Sequence, residues 1–297
     1  MSNGAIPIQS IQEEQAQSHS TRIKYFKDLE KHFKKPVVSY YTSFNHPVMV
    51  DDTDAEMLEG VLQQIDVSKG FCLLINSPGG LGLAAERIIN VCRSYSGTKT
   101  YDVIVPALAK SAATMICFGA DVLHMSPTSE LGPVDPQITT VEEGQVKRFS
   151  VCNIVEGYKD LFNRAVKAKG RMEPFIQQLS HYDEREIKEF EDAIQLAQDI
   201  SVRSLQTGMM QGQTAEEIVK KIQVFLTPKA KKAHGRPIYP DEALGCGLKV
   251  NLFQSTSDAW KAVYALHSRS RNYVTVHAAK CVETSRNSFT MPIPKAR

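Results

Sequence analysis

Ser111 opens an apolar helical run, and a turn carrying two glycines, Gly79 and Gly80, precedes it by about thirty residues. The turn reads Ile75-Asn76-Ser77-Pro78-Gly79-Gly80, and the serine lies in Lys110-Ser111-Ala112-Ala113-Thr114. Glycines at a strand-to-helix turn leave backbone N–H groups uncovered by side chains, so a negatively charged oxygen can approach them closely. A hydroxyl at a helix start sits beside unpaired N–H groups and the positive end of the helix dipole. A nucleophile next to preformed oxyanion donors is the layout that acyl transfer needs. An isolated serine at a helix start is usually only an N-cap. Here the glycine turn and the small Ala112-Ala113 pair, which keep the helix end open to a substrate backbone, favour the nucleophile. The oxyanion donors are then the N–H groups of Gly79 or Gly80 and of Ala112.

Two strand–turn–helix units must hold these groups. Phe71 to Ile75 is a short apolar run of strand type, and Leu81–Tyr95 keeps a helical period through Leu83, Arg87, Ile88 and Val91. Val103–Pro106 repeats the strand before Ser111 opens the next helix. Val37–Tyr41 reads as a first strand and Asp52–Ile65 as a helix behind an acidic cap. The alternation predicts an α/β fold with a mostly parallel, buried sheet surrounded by helices. From Val151 to Phe225 the pattern is helical, with amphipathic stretches at Val155–Lys167, Glu184–Thr207 and Thr214–Phe225. Residues 1–22 read as a flexible arm, 23–267 as one domain with a helical extension over about 151–225, and 268–297 as a polar C-terminal tail. Met209 and Met210, flanked by glycines, suit an adaptable contact surface in that extension.

The composition is that of an ordinary globular protein: 42% hydrophobic, 23% charged, with a formal net charge of +2. Near-neutrality argues against a dedicated nucleic-acid surface. The six cysteines show no Cys-x-x-Cys pair or Cys/His spacing, so no metal is expected and the thiols read as buried and reduced in a cytoplasmic protein. Met1–Ser20 carries Glu13 and Glu14 where a signal peptide would have an apolar core. Ala112 to Met125 is too short to span a bilayer and contains Asp121 and His124. There is no Gly-x-Gly-x-x-Gly turn, so no cofactor is expected.

The combination of Ile-Asn-Ser-Pro-Gly-Gly with a Ser-Ala-Ala helix resembles the Clp and signal-peptide-peptidase superfamily of serine peptidases. The string Gly79 to Ile88, then Gly119-Ala120-Asp121 and Leu131-Gly132-Pro133-Val134-Asp135-Pro136-Gln137, is similar to the bacterial serine dehydrogenase proteinase family, SppA-like proteins of the ClpP/crotonase fold. The resemblance covers roughly residues 35 to 140, with a weaker echo at Arg236-Pro237-Ile238, Glu242-Ala243 and Gly247-Leu248. It implies repeated β-β-α units, a peptide or unfolded protein substrate, and a homo-oligomer. Within the glycine pair it points to Gly79 as the oxyanion donor.

The resemblance also frames the general base. Clp catalytic subunits use a histidine near the position of Val134-Asp135-Pro136, and this chain has none there. His124 falls on an apolar strand, where a packed core histidine is expected. SppA-type enzymes use a lysine downstream of the serine, with its pKa lowered by its surroundings. Lys147 and Lys159 fall in that window, and Lys147, on an expected hairpin, ranks first. Lys110 adjoins the serine, but its side chain should diverge from it. Asp135 matches a family motif and would orient the base or bond the substrate, unless it serves only its turn. His234-Gly235-Arg236-Pro237 resembles a tail element expected to dock the C-terminal strand. Two rival functions share the fold: a crotonase-type acyl-CoA hydratase or hydrolase, and a catalytically inactive peptide-binding scaffold.

Overall fold

The computed structural model describes residues 18–142, 145–168, 170, 172–227 and 236–295. Alternating apolar residues build the central sheet. β1 (Val37–Thr42) sends Val38 and Tyr40 to one face and Val37 and Tyr41 to the other. β2 (Phe71–Asn76) divides Phe71, Leu73 and Ile75 from Cys72 and Leu74 in the same way. These strands run parallel with β3 (Tyr101–Ile104), β5 (Val122–Met125) and β9 (Val250–Leu252). β10 (Lys280–Glu283) pairs antiparallel with β1 and carries β11 (Ser288–Met291) at its outer edge, giving the order β11-β10-β1-β2-β3-β5-β9. The mostly parallel α/β architecture is the one expected. Burial of both faces explains why β1 and β2 are buried along their whole length.

One face is covered by α2 (Asp52–Leu62), α3 (Gly82–Ser96), α4 (Ala112–Phe118) and, across the last two, α7 (Glu184–Thr207). α2 starts at a capping box in which Asp51 accepts from the Thr53 N–H and Asp54 accepts from the Asp51 N–H. The other face lies under α1 (Ser20–Phe33) and α11 (Asp258–Val276), through Phe26, Leu29, Trp260 and Val263. A minor sheet joins β4 (Leu108–Ala109) to β6 (Glu130–Leu131), with Ser77 bridging Ala109 on one side and Ile238 bridging Leu131 on the other. Beyond it stand the hairpin β7 (Gln137–Glu142) and β8 (Gln145–Ser150), then α5 (Val151–Lys167) and α6 (Glu173–Leu179).

Several expectations are corrected. The stretch read as one helix over 214–225 breaks at Ile222 into α8 (Ala215–Lys221) and α9 (Gln223–Leu226). Met209 and Met210 are 3% and 1% exposed, seated in the core and not on a contact surface. Residues 268–297 hold the end of α11 and both β10 and β11, where a polar tail was expected. The buried charges of β10, Lys280 and Glu283, are accommodated because each has an oppositely charged partner. Lys280 Nζ lies 2.8 Å from Asp51 and 2.9 Å from Asp54, and Arg22 donates to both carboxylate oxygens of Glu283 at 2.7 and 2.6 Å. Of the expected arm, residues 1–17 lie outside the described residues, and Ser20–Arg22 already belong to α1. Ile238, just before α10 (Pro240–Gly245), docks on Leu131 beside the Lys110–Ser111 loop, not on the C-terminal strand, and His234-Gly235 lies outside the described residues. All six cysteines are buried. Among the described residues no helix is long and apolar enough to cross a membrane, and no cluster of three metal-ligating side chains occurs.

Candidate active site

The end of β2 and the start of α4 are sewn together by backbone. The Ser77 N–H donates to the Leu108 carbonyl, and the Lys110 N–H donates back to Ser77, each at 3.1 Å. Asn76 Oδ1 accepts from the Leu108 N–H at 3.2 Å. Proline at 78 and glycine at 79 then turn the chain, Gly79 with φ +94°. A Cβ on Gly79 would stand 2.4 Å from the Lys110 carbonyl oxygen and 2.7 Å from Ser111 Cβ, so only glycine lets the two loops touch. On its far side the turn is zipped to Val50, which donates to the Gly79 carbonyl at 2.8 Å and accepts from the Leu81 N–H at 2.9 Å.

Ser111 itself has φ +51° and ψ −121°, a conformation a side-chain-bearing residue adopts at a cost of about 1–3 kcal/mol. Its hydroxyl caps no helix N–H, so the ordinary N-cap role is not the one it plays. Among the described residues the N–H groups of Ala112 and Gly80 meet no acceptor, whereas the Gly79 N–H is turned onto Ser77 Oγ at 3.2 Å. The turn therefore leaves a free donor at Gly80, next to the residue expected to supply it. Met49, next to Val50, and Leu81 and Leu83, just after the turn, are exposed apolar side chains.

The remaining expected residues separate by location. Lys110 swings away from Ser111, its Nζ 2.5 Å from Glu130 Oε1 and 3.4 Å from the Leu131 carbonyl. Lys147 sits exposed on β8, opposite Thr140 of β7. Lys159 lies on α5, more than half exposed and paired with Glu191 at 2.7 Å. Asp135 is buried and accepts from Ser150 Oγ at 2.8 Å, while the Val151 N–H donates to the Pro136 carbonyl at 3.0 Å. Together these bonds fasten the root of the β7–β8 hairpin. Among the described residues no hydrogen bond joins Ser111 to Lys147, Lys159, Asp135 or His124.

His124 belongs to the opposite face of the sheet. Its ring packs against Phe33 and Phe253, with Nδ1 3.2 Å from Asn251 Nδ2 and Nε2 4.0 Å from Asp102. Burial alone would raise the Asp102 carboxyl, but His124 and Lys35 outweigh it and hold it below the usual carboxylate range.

Sequence reasoning gave no separate role to Asn76, Ser77, Thr114 and Glu130, all of which bind the loop that carries Ser111. Their signal was weak, since a polar residue at a strand end or inside a short helix is ordinary in itself.

Residues 43–160 match the family described as ClpP-like SDH-type serine proteinase, which bears out the resemblance drawn from the glycine turn and the Ser-Ala-Ala helix. Two uncharacterised proteins of Methanocaldococcus jannaschii are similar. One is 28% identical over 198 residues, covering 67% of this chain and 59% of the relative. The other is 32% identical over 133 residues, covering 39% of this chain and 41% of the relative. The chain thus spans less than two thirds of the length of either relative. A solved structure, a mutant of the 1510-N membrane-bound stomatin-specific protease, is 15% identical with a TM-score of 0.41, over 69% of this chain and 75% of that one.

Proposed function

We propose that the chain is a serine peptidase that hydrolyses peptide bonds through an acyl-enzyme on Ser111. The observation that carries this reading is the elbow. A serine held at positive φ abuts a glycine turn, and the N–H groups of Ala112, the next residue, and of Gly80, in that turn, have no acceptor among the described residues. The match of residues 43–160 to a serine proteinase family supports it.

In the first step Ser111 Oγ attacks the scissile carbonyl carbon while the general base takes the hydroxyl proton. The carbonyl oxygen, now negative, is held by the N–H groups of Ala112 and Gly80. Gly79 contributes the turn and the close approach that put them there. Collapse of the intermediate expels the amine, which leaves with the proton from the base. Water then repeats the sequence on the ester and frees Ser111. An extended substrate lies along the Gly79–Gly82 edge, its side chains meeting the exposed Met49, Leu81 and Leu83.

Lys147 is the favoured base. It lies three residues from Ser150, about 10 Å along an extended strand from the hairpin root. That root is tied to the segment Leu131–Asp135, which lies against the elbow. Lys159, on α5 beyond the hairpin, is the alternative base. Substrate peptides or unfolded chains are the expected partners, in the cytoplasm. A homo-oligomer is proposed through the exposed apolar side chains of the helical extension, Phe162, Val166, Ile176 and Leu196. Light scattering that shows a monomer at micromolar concentration with undiminished activity overturns that assembly.

One observation favours a second reading, a peptide-binding scaffold without turnover: Ser111 has no hydrogen-bonded base among the described residues. Intact-mass spectrometry after treatment with a fluorophosphonate decides between them. A single adduct that disappears in Ser111→Ala supports the peptidase. No adduct, with peptides still bound, identifies the scaffold.

A further inference from the structure

Thr114 is the polar side chain of α4, which reads Ala112-Ala113-Thr114-Met115-Ile116-Cys117-Phe118, and it is fully buried. A threonine inside a helix normally bonds back to a carbonyl three or four residues earlier in the same helix. Thr114 reaches further. Its Oγ1 lies 2.8 Å from the carbonyl oxygen of Ala109, in β4, on the far side of Ser111. The same oxygen accepts from the Gly132 N–H at 3.1 Å and stands 3.0 Å from the Gly132 carbonyl. The Gly132 N–H is itself shared with Ala109 O at 3.0 Å. One hydroxyl therefore joins three segments: the strand before the nucleophile, the helix after it and the segment that leads to the hairpin.

The elbow needs such a tie. Ser111 is one of two non-glycine residues at positive φ among the described residues, and a strained residue persists only where its surroundings over-determine it. The backbone bonds Ala113 N–H to Lys110 O at 2.9 Å and Thr114 N–H to Ser111 O at 2.8 Å hold it from the helix side. The Thr114 hydroxyl adds the cross-tie from the strand side. Gly132 is fitted to the same junction, since a Cβ there would stand 2.7 Å from Lys110 Cδ and 3.2 Å from Lys110 Cα.

We propose that Thr114 is a positioning residue for Ser111: its hydroxyl clasps Ala109 and Gly132 and so fixes the strained elbow at the angle that attack requires. The proposal rests on the reading of Ser111 as the nucleophile. It assigns Thr114 no contact with substrate, so its loss acts on the rate of acylation and not on the affinity for the reagent.

The test compares Thr114→Val, which keeps the shape and removes the hydroxyl, with Thr114→Ser, which keeps the hydroxyl. Fluorophosphonate labelling of Ser111 is resolved into a binding constant and a maximal rate, alongside hydrogen exchange of residues 129–134. In T114V the maximal rate is expected to fall roughly tenfold, the rate equivalent of about one lost hydrogen bond, with the binding constant unchanged. Exchange at Gly132 should quicken. T114S should stay within about threefold of the wild type. A wild-type rate in T114V overturns the proposal, as does an equal loss in both variants, which would assign the effect to packing. If T114V does not fold, Thr114→Ala removes the same hydroxyl without requiring a branched fit and is read the same way. If the wild type itself takes no label, the peptidase reading fails, and the exchange data judge the clasp alone. Unchanged exchange at Gly132 in the variant then overturns it too.

Discussion

The nucleophile elbow and the β7–β8 hairpin are built on opposite principles. The elbow is defined by backbone: Ser77, Leu108, Lys110, Gly79 and Val50 exchange main-chain hydrogen bonds, and a single added carbon at Gly79 or Gly80 would collide with backbone atoms. The hairpin is a separate two-stranded sheet, paired among the described residues only with itself and anchored at its root by Asp135, Ser150, Pro136 and Val151. A two-stranded ribbon has little stability of its own. The difference suggests a division of labour in which the proposed nucleophile and oxyanion donors are preorganised, while the proposed base rides on an element whose position a substrate or a second subunit can adjust. Catalytic hydrogen bonds that are absent in a free enzyme and tighten on binding fit that picture.

The largest effects should come from the elbow. Ser111→Ala is expected to lower peptidase activity by several orders of magnitude while leaving thermal stability within about 0.5 kcal/mol, because the hydroxyl caps nothing. Full activity in that variant removes Ser111 from the mechanism. Gly79→Ala should cost about 2–3 kcal/mol in stability and at least roughly a hundredfold in activity, since its Cβ meets both a disallowed φ and the Lys110 carbonyl. Gly97→Ala makes the matched control. Gly97 also has positive φ, +56°, but a Cβ there meets nothing within 4 Å, so about 1 kcal/mol of stability and no activity should be lost. Equal kinetic effects at the two glycines would show that the elbow is not special.

The hairpin side of the comparison is probed through Lys147. As the proposed base, Lys147 takes the proton from Ser111, so Lys147→Ala should lower kcat/KM roughly a hundredfold or more. Lys159→Ala removes an exposed pair with Glu191 and should change stability by less than about 1 kcal/mol and activity hardly at all. The reverse pattern transfers the role to Lys159. Loosening the root should matter less than removing the lysine. Ser150→Ala, which takes a donor from the buried Asp135 carboxylate, is expected to cost about 1–3 kcal/mol and to lower activity only a few-fold.

The elbow and the N-terminal half of the sheet were legible because their logic is local. Phe71 to Ile75, the Ser-Pro-Gly-Gly turn and the helix after it are contiguous in sequence, and apolar alternation with glycine punctuation is enough to read them. The C-terminal strands were not. β10 carries Lys280 and Glu283, which look solvated in the sequence, yet they are buried because Asp51, Asp54 and Arg22 neutralise them from more than two hundred residues away. The long helix that ends at Val276 was hidden for a related reason: Arg269 and His267 lie within it and are buried against Tyr25 and Tyr41. The free donor at Gly80 could not be told from Gly79 by residue type, since only the turn geometry and the Ser77 hydroxyl distinguish them.

The smallest expected effect lies across the sheet from the elbow, at Asp102. His124 and Lys35 hold this carboxyl below its ordinary range against the opposing pull of burial. The unfolded chain therefore takes up the proton at a higher pH than the folded one. The stability contributed by the ionised group is fully present above the unfolded carboxyl pKa and disappears as pH falls through the lower folded value. Asp102→Asn should consequently melt below the wild type at neutral pH, with a gap that narrows on acidification from about pH 5 towards pH 2. Because the cluster occupies the opposite face from Ser111, maximal labelling by a fluorophosphonate at neutral pH should be unchanged. A gap that stays constant down to acid pH would show that the carboxyl is not held low by these partners. A loss of labelling would show that the two faces of the sheet are coupled, and that the preorganised elbow depends on more than its own backbone.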